Sequence, residues 1–373
     1  MIPFIDLKSQ YEKIRDGIER SVIDVLRGGQ YVMGKAVEEL EQELARRAGV
    51  RHAVSCASGT DALVIALMAE GIGPEDAVLC PPFTFMATAE AVALVGATPL
   101  FIDIDERTFN LDPAKLPDAL NRLGNGLVPK AIIPVDLFGQ PAQYGPIQAF
   151  ANGHGLLVIE DAAQSFGAQL DGQPAGSLAP VACTSFFPAK PLGCFGDGGA
   201  LFTDDEGRAN LYRSIRAHGQ GEDRYDHVRI GLTGRLDTIQ AAVLLEKLKI
   251  FDHELDRRQQ IANLYSDAIR QSGLELETPH LAEGALSAWA QYSVLARDSG
   301  ERTKYRDRLE RAGIPSTIYY PRPLHLQPAF SNLGHRPGDF PVSESVAERI
   351  FSLPMHPYLD DDTVRRIVEA MAE

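Results

Sequence analysis

Four stretches of the 373-residue chain place reactive side chains beside small ones, each at the end of an apolar run or beside a glycine turn. In Thr184-Ser185-Phe186-Phe187-Pro188-Ala189-Lys190-Pro191-Leu192-Gly193, the lysine lies between an apolar segment and the glycines of 196–199, with no acid before Asp197. Most lysines are solvated surface charges. A lysine held among apolar neighbours has its charged form disfavoured, and its amine then becomes a nucleophile of the kind that forms Schiff bases. Ser185, just upstream, offers a hydroxyl suited to a phosphate oxygen.

The run Val158-Ile159-Glu160-Asp161-Ala162-Ala163-Gln164 drives an acid pair to a strand end and follows it with small residues that let a flat ligand approach the backbone. A buried carboxylate needs a cationic partner. The protonated nitrogen of pyridoxal phosphate (PLP) is one such partner, and the pairing keeps that ring an electron sink. A metal-binding or helix-capping role is the other reading of Glu160-Asp161. In Ser58-Gly59-Thr60-Asp61 a strand of small residues turns into a helix whose free N–H groups favour a phosphate. The same residues also read as an ordinary cap, with Ser58 or Thr60 as the capping hydroxyl. The fourth stretch, Gly231-Leu232-Thr233-Gly234-Arg235-Leu236-Asp237, opens a long helix. Arg235 reads there as a clamp for a carboxylate or phosphate, or as a surface arginine.

The elements that must position these residues alternate. Short apolar strands are expected at 53–57, 78–80, 99–104, 131–135, 156–159, 182–187 and 200–203, with helices at 61–70, 84–95 and near 147–152. Continuously apolar strands separated by helices imply a largely parallel sheet covered on both faces, whose ligands bind at the strand carboxyl ends. Two helices precede the first strand, one stopped by Gly28-Gly29 and one spanning 37–48. After about residue 235 the pattern changes to a long helix (237–272), a strand (291–295), a helix (304–312), a proline-rich stretch and a terminal helix from Asp361. The spacing predicts a large α/β unit, residues 1–250, followed by a smaller α/β unit, residues 251–373.

Composition narrows the class. Hydrophobic residues make up 45% of the chain and charged ones 23%, enough apolar material for a sizeable core. The net charge of −15 repels phosphate backbones and anionic lipid, which argues against nucleic-acid and membrane partners. The longest nearly apolar run, 91–102, falls short of the about 20 residues of a spanning helix. Four cysteines without a CxxC pair and nine scattered histidines give neither a disulfide framework nor a zinc site, and the expected setting is the cytoplasm.

Taken in order, the motifs resemble those of the DegT/DnrJ/StrS sugar aminotransferases, PLP enzymes of fold type I (aspartate aminotransferase-like). The resemblance runs through FIDL at 4–7, SGTDAL at 58–63, PFTFMATAEAV at 82–92, VIEDAAQSFGA at 158–168, SFFPAKPLG at 185–193, GDGGA at 196–200, GRLDTIQAA at 234–242, YYPRPLH at 319–325 and SLPMHPYLD at 352–360. The motifs at 184–200 and 352–360 are most similar to the branch that aminates UDP-2-acetamido-2-deoxy-3-oxoglucuronate, with surface-polysaccharide (O-antigen) synthesis as the implied setting.

The resemblance implies that Lys190 carries the cofactor as a Schiff base. It also implies that Asp161 pairs with the pyridine nitrogen and that Gln164 hydrogen-bonds the ring hydroxyl. Gly59, Thr60 and Ser185 would hold the phosphate, with Phe85 over one face of the ring and Ala163 against the other. It further implies L-glutamate as amino donor, a nucleotide-linked keto sugar as acceptor, and a homodimer in which Thr233 reaches the neighbouring phosphate and Arg235 the sugar substrate. Tyr319 and Tyr320 would lie at the substrate. Two positions depart from the family pattern: Thr233 stands where Asn is usual, and Tyr319 where His is common. A keto 6-deoxy sugar is the alternative substrate, and a non-catalytic PLP-binding regulator the alternative of another class. A sugar dehydratase of the same family carries His at the position of Lys190.

Overall fold

The computed structural model describes residues 2–124, 126–223 and 225–372. Seven strands form the main sheet: β1 (His52–Cys56), β2 (Asp76–Cys80), β3 (Thr98–Phe101), β4 (Val128–Ile132), β5 (Leu157–Asp161), β6 (Val181–Ser185) and β7 (Gly199–Thr203). Their spatial order is β1-β7-β6-β5-β4-β2-β3. All neighbouring pairs are parallel except the two that involve β7, which runs antiparallel to both β1 and β6. The expected class, a mostly parallel sheet sandwiched by helices, is the one observed.

Alternation along each strand explains why both faces are covered. Val54, Ile159, Cys183 and Leu201 face one core together with Ala62, Ile65 and Ala66 of the helix Gly59–Ala69. Their neighbours Ala53, Ala182 and Phe202 face another, built with Leu244, Leu248 and Phe251 of the long helix Thr238–Ser272. Phe166 stacks between Phe202 and Phe251, with ring centroids 6.0 and 5.8 Å away.

The C-terminal half of the same long helix changes partners. Ile261, Tyr265 and Ile269 pack on a small antiparallel sheet of β8 (Leu276–Glu277), β9 (Tyr292–Ala296) and β10 (Ile350–Leu353). The helices Ser299–Arg311 and Asp361–Ala372 cover that sheet. Among the described residues, no helix is long and apolar enough to cross a membrane.

Differences from the sequence reading have local causes. Strand β5 runs to Asp161, beyond its expected end at 159, because Asp161 N–H donates to the Pro134 carbonyl (3.0 Å) and its own carbonyl accepts from Asp136 N–H (3.1 Å). The helix expected from residue 84 starts at Ala87; Pro81 and Pro82 lack N–H donors and keep the preceding segment a turn. The proline-rich stretch hides a helix, Pro341–Arg349, with proline in its first turn, where the missing donor costs nothing. The short helices Leu116–Asn121 and Glu206–Ile215 were likewise not expected.

Candidate active site

The site collects at the carboxyl ends of β1, β5 and β6. Antiparallel β7 fits between β1 and β6, so the loops after these two strands flank its glycine-rich start. A Cβ on Gly199 would sit 2.4 Å from the Ser58 carbonyl oxygen, and one on Gly59 would sit 2.6 Å from the Ser185 Cβ. Only glycines allow this approach, and it brings Ser58-Gly59-Thr60 against Ser185. Ser58 caps the helix by accepting from Asp61 N–H at 3.0 Å, which the sequence offered as the plain alternative. Capping uses the Asp61 donor and leaves the first-turn N–H groups of Gly59 and Thr60 without an intrahelical acceptor. The Ser185 hydroxyl, which accepts weakly from Phe187 N–H at 3.3 Å, lies beside them. Capping therefore leaves these donors available, and the donor set fits a phosphate.

Glu160 and Asp161 part company. Alternation sends the buried Glu160 carboxylate to the far face, where it accepts from Gly176 N–H (2.6 Å) and Leu178 N–H (2.9 Å). It neither caps a helix nor joins Asp161, and among the described residues no group of acids, cysteines and histidines could hold a metal. Asp161 points into the site and is buried. It accepts from the Thr88 hydroxyl at 2.8 Å and from Ala163 N–H at 3.2 Å. Burial pushes its pKa above the usual carboxylate range, while Thr88, the Ala163 N–H and the Lys190 charge pull it back.

Lys190 is set by a tight turn, its N–H donating to the Phe187 carbonyl at 2.9 Å. Desolvation pushes its ammonium down to about 8, against the attraction of Asp161. A substantial fraction of neutral amine at physiological pH is what a Schiff-base lysine needs. Gln164 is buried; its Oε1 accepts from Phe138 N–H at 2.8 Å and its Nε2 donates to the Tyr320 hydroxyl at 3.3 Å. Tyr320 stands between Phe83 and Phe85, at centroid distances of 6.1 and 6.4 Å. Phe85 itself is 56% exposed, a flat apolar wall with no cover in the single chain. Ala163 is half-buried beside Asp161.

Asp161, Ala163, Gln164, Lys190 and Tyr320 thus lie in one linked group, with Phe85 against Tyr320 and the Gly59, Thr60, Ser185 cradle beside it. Tyr319 faces elsewhere, toward the Phe4 ring at 6.2 Å as well as toward Tyr320. Thr233 and Arg235 are not drawn in by their own chain. The Thr233 hydroxyl pairs with His218 Nε2 at 2.7 Å, and Arg235 has no carboxylate within ion-pair distance among the described residues. The sequence reading missed Thr88, the direct partner of Asp161, and Asp136. A polar residue on the buried side of the otherwise alanine-rich helix Ala87–Leu94 was the available signal for Thr88. Asp136 accepts from Ala142 N–H, the Tyr144 hydroxyl and the Ser165 hydroxyl, and so braces the turn behind Gln164.

A buried carboxylate, a lysine of lowered basicity and a phosphate cradle, on a mostly parallel seven-stranded sheet with one reversed strand, define a PLP-dependent transferase of fold type I. The profile of the DegT/DnrJ/EryC1/StrS aminotransferase family matches residues 12–372, and the chain belongs to that family. It is a PLP-dependent aminotransferase. It is 48% identical to the UDP-2-acetamido-2-deoxy-3-oxo-D-glucuronate aminotransferase of Pseudomonas aeruginosa, over 100% of this chain and 99% of that protein. A DegT/DnrJ/EryC1/StrS aminotransferase of Brucella abortus superposes with a TM-score of 0.94 at 47% identity, covering 100% and 98% of the two chains. NtdA of Bacillus subtilis, solved with bound cofactor PMP, superposes with a TM-score of 0.87 at 28% identity over 99% of this chain and 83% of its own.

The depressed basicity of Lys190 gives a direct expectation. Reductive methylation of the cofactor-free protein, resolved by residue with mass spectrometry, should modify Lys190 at a rate that rises with pH and levels off above about 8. A midpoint at the ordinary lysine value would contradict a desolvated amine.

Proposed function

We propose that this enzyme moves the amino group of L-glutamate to a UDP-linked 3-oxo sugar of the 2-acetamido-2-deoxy-3-oxo-glucuronate type. The observation that carries this reading is the full-length similarity to the Pseudomonas aeruginosa enzyme, combined with a lysine and an aspartate in the positions that transamination requires. When bound, PLP supplies an electron sink that lets nitrogen leave one substrate and enter another. The N–H groups of Gly59 and Thr60 and the Ser185 hydroxyl hold its phosphate. Asp161, whose ionised form the Thr88 hydroxyl favours, would hold a proton on the ring nitrogen, and Gln164 would meet the ring hydroxyl. Phe85 and Ala163 bound the two faces of the ring. The neutral Nζ of Lys190 would take the proton from the glutamate Cα and, in the second half-reaction, would return one to the sugar carbon that receives the nitrogen. Two half-reactions in one site give ping-pong kinetics.

The site has an open side, which a second copy of the chain closes in this reading. Tyr225, Val228 and Ile230, at 81%, 53% and 84% exposure, crowd the segment before Gly231–Asp237. That much exposed apolar surface supports a homodimer in which Thr233 and Arg235 serve the partner's site. Arg235 would then clamp an anionic group of the sugar nucleotide, with Tyr320 along the substrate path and Tyr319 reaching it only through its contact with Tyr320. We read residues 1–250 and 251–373 as the two units, supported by the change of core between Phe251 and Ile261. The cytoplasm, where nucleotide sugars are made, is the proposed location, and surface-polysaccharide synthesis the proposed use of the product.

The substrate is tested by incubating the enzyme with L-glutamate and a panel of nucleotide keto sugars, with products read by mass. The 3-oxo-glucuronate should yield its amino sugar together with 2-oxoglutarate. Turnover confined to a 6-deoxy keto sugar would overturn the assignment. Shared sites are tested by mixing Lys190→Ala protein with Arg235→Ala protein, each inactive alone. A mixed two-fold dimer holds one intact pocket, so each mixed dimer should recover up to about half the activity of a wild-type dimer. No recovery after verified subunit exchange would place Arg235 in its own chain's site or outside any site.

A further inference from the structure

A second lysine is withdrawn from water more completely than the half-buried Lys190. Lys247, on the long helix Thr238–Ser272, is 1% exposed and belongs to the same buried face as Leu244, Leu248 and Phe251. Among the described residues no carboxylate lies within ion-pair distance of it. Its ammonium donates to the Gly193 carbonyl at 2.5 Å and stands 4.5 Å from the centre of the Phe195 ring. Burial pushes this ammonium down to about 8. An unpaired cation inside a protein is costly, and an apolar side chain would suit this helix face better. The one strong polar contact it makes is therefore the place to look for its purpose.

Gly193 closes the loop that carries Lys190. A Cβ at Gly193 would lie 2.6 Å from both the Phe187 and Pro188 carbonyl oxygens, so the loop folds back tightly on itself there. Its start is tied by Phe186 N–H to the Gly198 carbonyl and by Cys194 N–H to the Phe186 carbonyl, both at 2.7 Å. Beyond it, Phe195 N–H donates to the Gln240 Oε1 at 2.8 Å. Lys247 supplies the remaining anchor, a charge-assisted bond from the long helix to the closing residue.

We propose that Lys247 is a positioning residue, its ammonium holding the Gly193 carbonyl so that the loop presents the Lys190 amine to the cofactor. The proposal rests on the reading of Lys190 as the residue that captures PLP. The lysine reaches over the apolar face of its helix into the base of the loop and makes no contact with the cofactor cradle. Its loss should therefore disturb covalent capture while leaving non-covalent phosphate and ring contacts in place.

The test compares two ligands of the cofactor-free protein by calorimetry. Pyridoxal phosphate can be captured by an amine; pyridoxamine phosphate, which has an amine in place of the aldehyde, cannot. In Lys247→Met, affinity for pyridoxamine phosphate should stay within about twofold of wild type, while affinity for PLP falls on the order of tenfold, since small misplacements of a reacting group carry large penalties. Lys247→Gln, which keeps a donor on a shorter stem, should fall between Met and wild type, and it serves alone if the Met variant does not fold. Equal loss for both ligands, or no loss for either, overturns the proposal. Lys190→Ala is the control: if wild type and Lys190→Ala bind PLP alike, the assignment of Lys190 fails rather than that of Lys247.

Discussion

Everything at the site depends on keeping one carboxylate charged where water does not reach it. Asp161 ends a strand that is buried from Val158 onward, and burial alone would favour its neutral form. Thr88, the Ala163 N–H and the nearby lysine act against that tendency. Lys190 meets the mirror-image problem: desolvation strips its proton while Asp161 helps retain it. Each group thus limits the other's shift, and a basic ring nitrogen placed at Asp161 would take over the counter-charge. The amine is then free to react.

Topology supplies the rest. The loops after β1 and β6 are far apart in sequence, yet only the reversed strand β7 separates them in the sheet. Because β7 runs the other way, it begins where its neighbours end, and its first residue, Gly199, fills the gap with backbone alone. Parallel β5, next to β6, delivers Asp161 to the same edge. A strand with side chains at that point would push Ser58 away from Ser185 and divide the anion cradle. The glycines here act by allowing close approach, and none of Gly59, Gly193 and Gly199 has a left-handed backbone.

Much of this was legible in the sequence because the signals are local. Alternating strands and helices gave the sheet, and Asp161, Gln164, Ser185 and Lys190 stood out by residue type at strand ends. What escaped notice came from distant contacts. Thr88 meets Asp161 across two elements, and Lys247 looks in sequence like one more charge on a long polar helix, Leu-Glu-Lys-Leu-Lys. Only the fold shows that this lysine, unlike Lys249 beside it, turns inward. The separation of Glu160 from Asp161 follows from strand alternation, but it required knowing that β5 continues through both. Thr233 and Arg235 show the opposite limit. Their residue types point to an anion, yet among the described residues their own chain gives them no partner in the site.

The central claim is that, of two lysines with the same lowered basicity, the one facing Asp161 does the chemistry and the other holds it in place. Reducing the PLP-loaded enzyme with borohydride and mapping the labelled peptide decides this most directly. The account predicts a single pyridoxyl group on Lys190, with Lys247 unmodified. A label on Lys247, or none on Lys190, would contradict it.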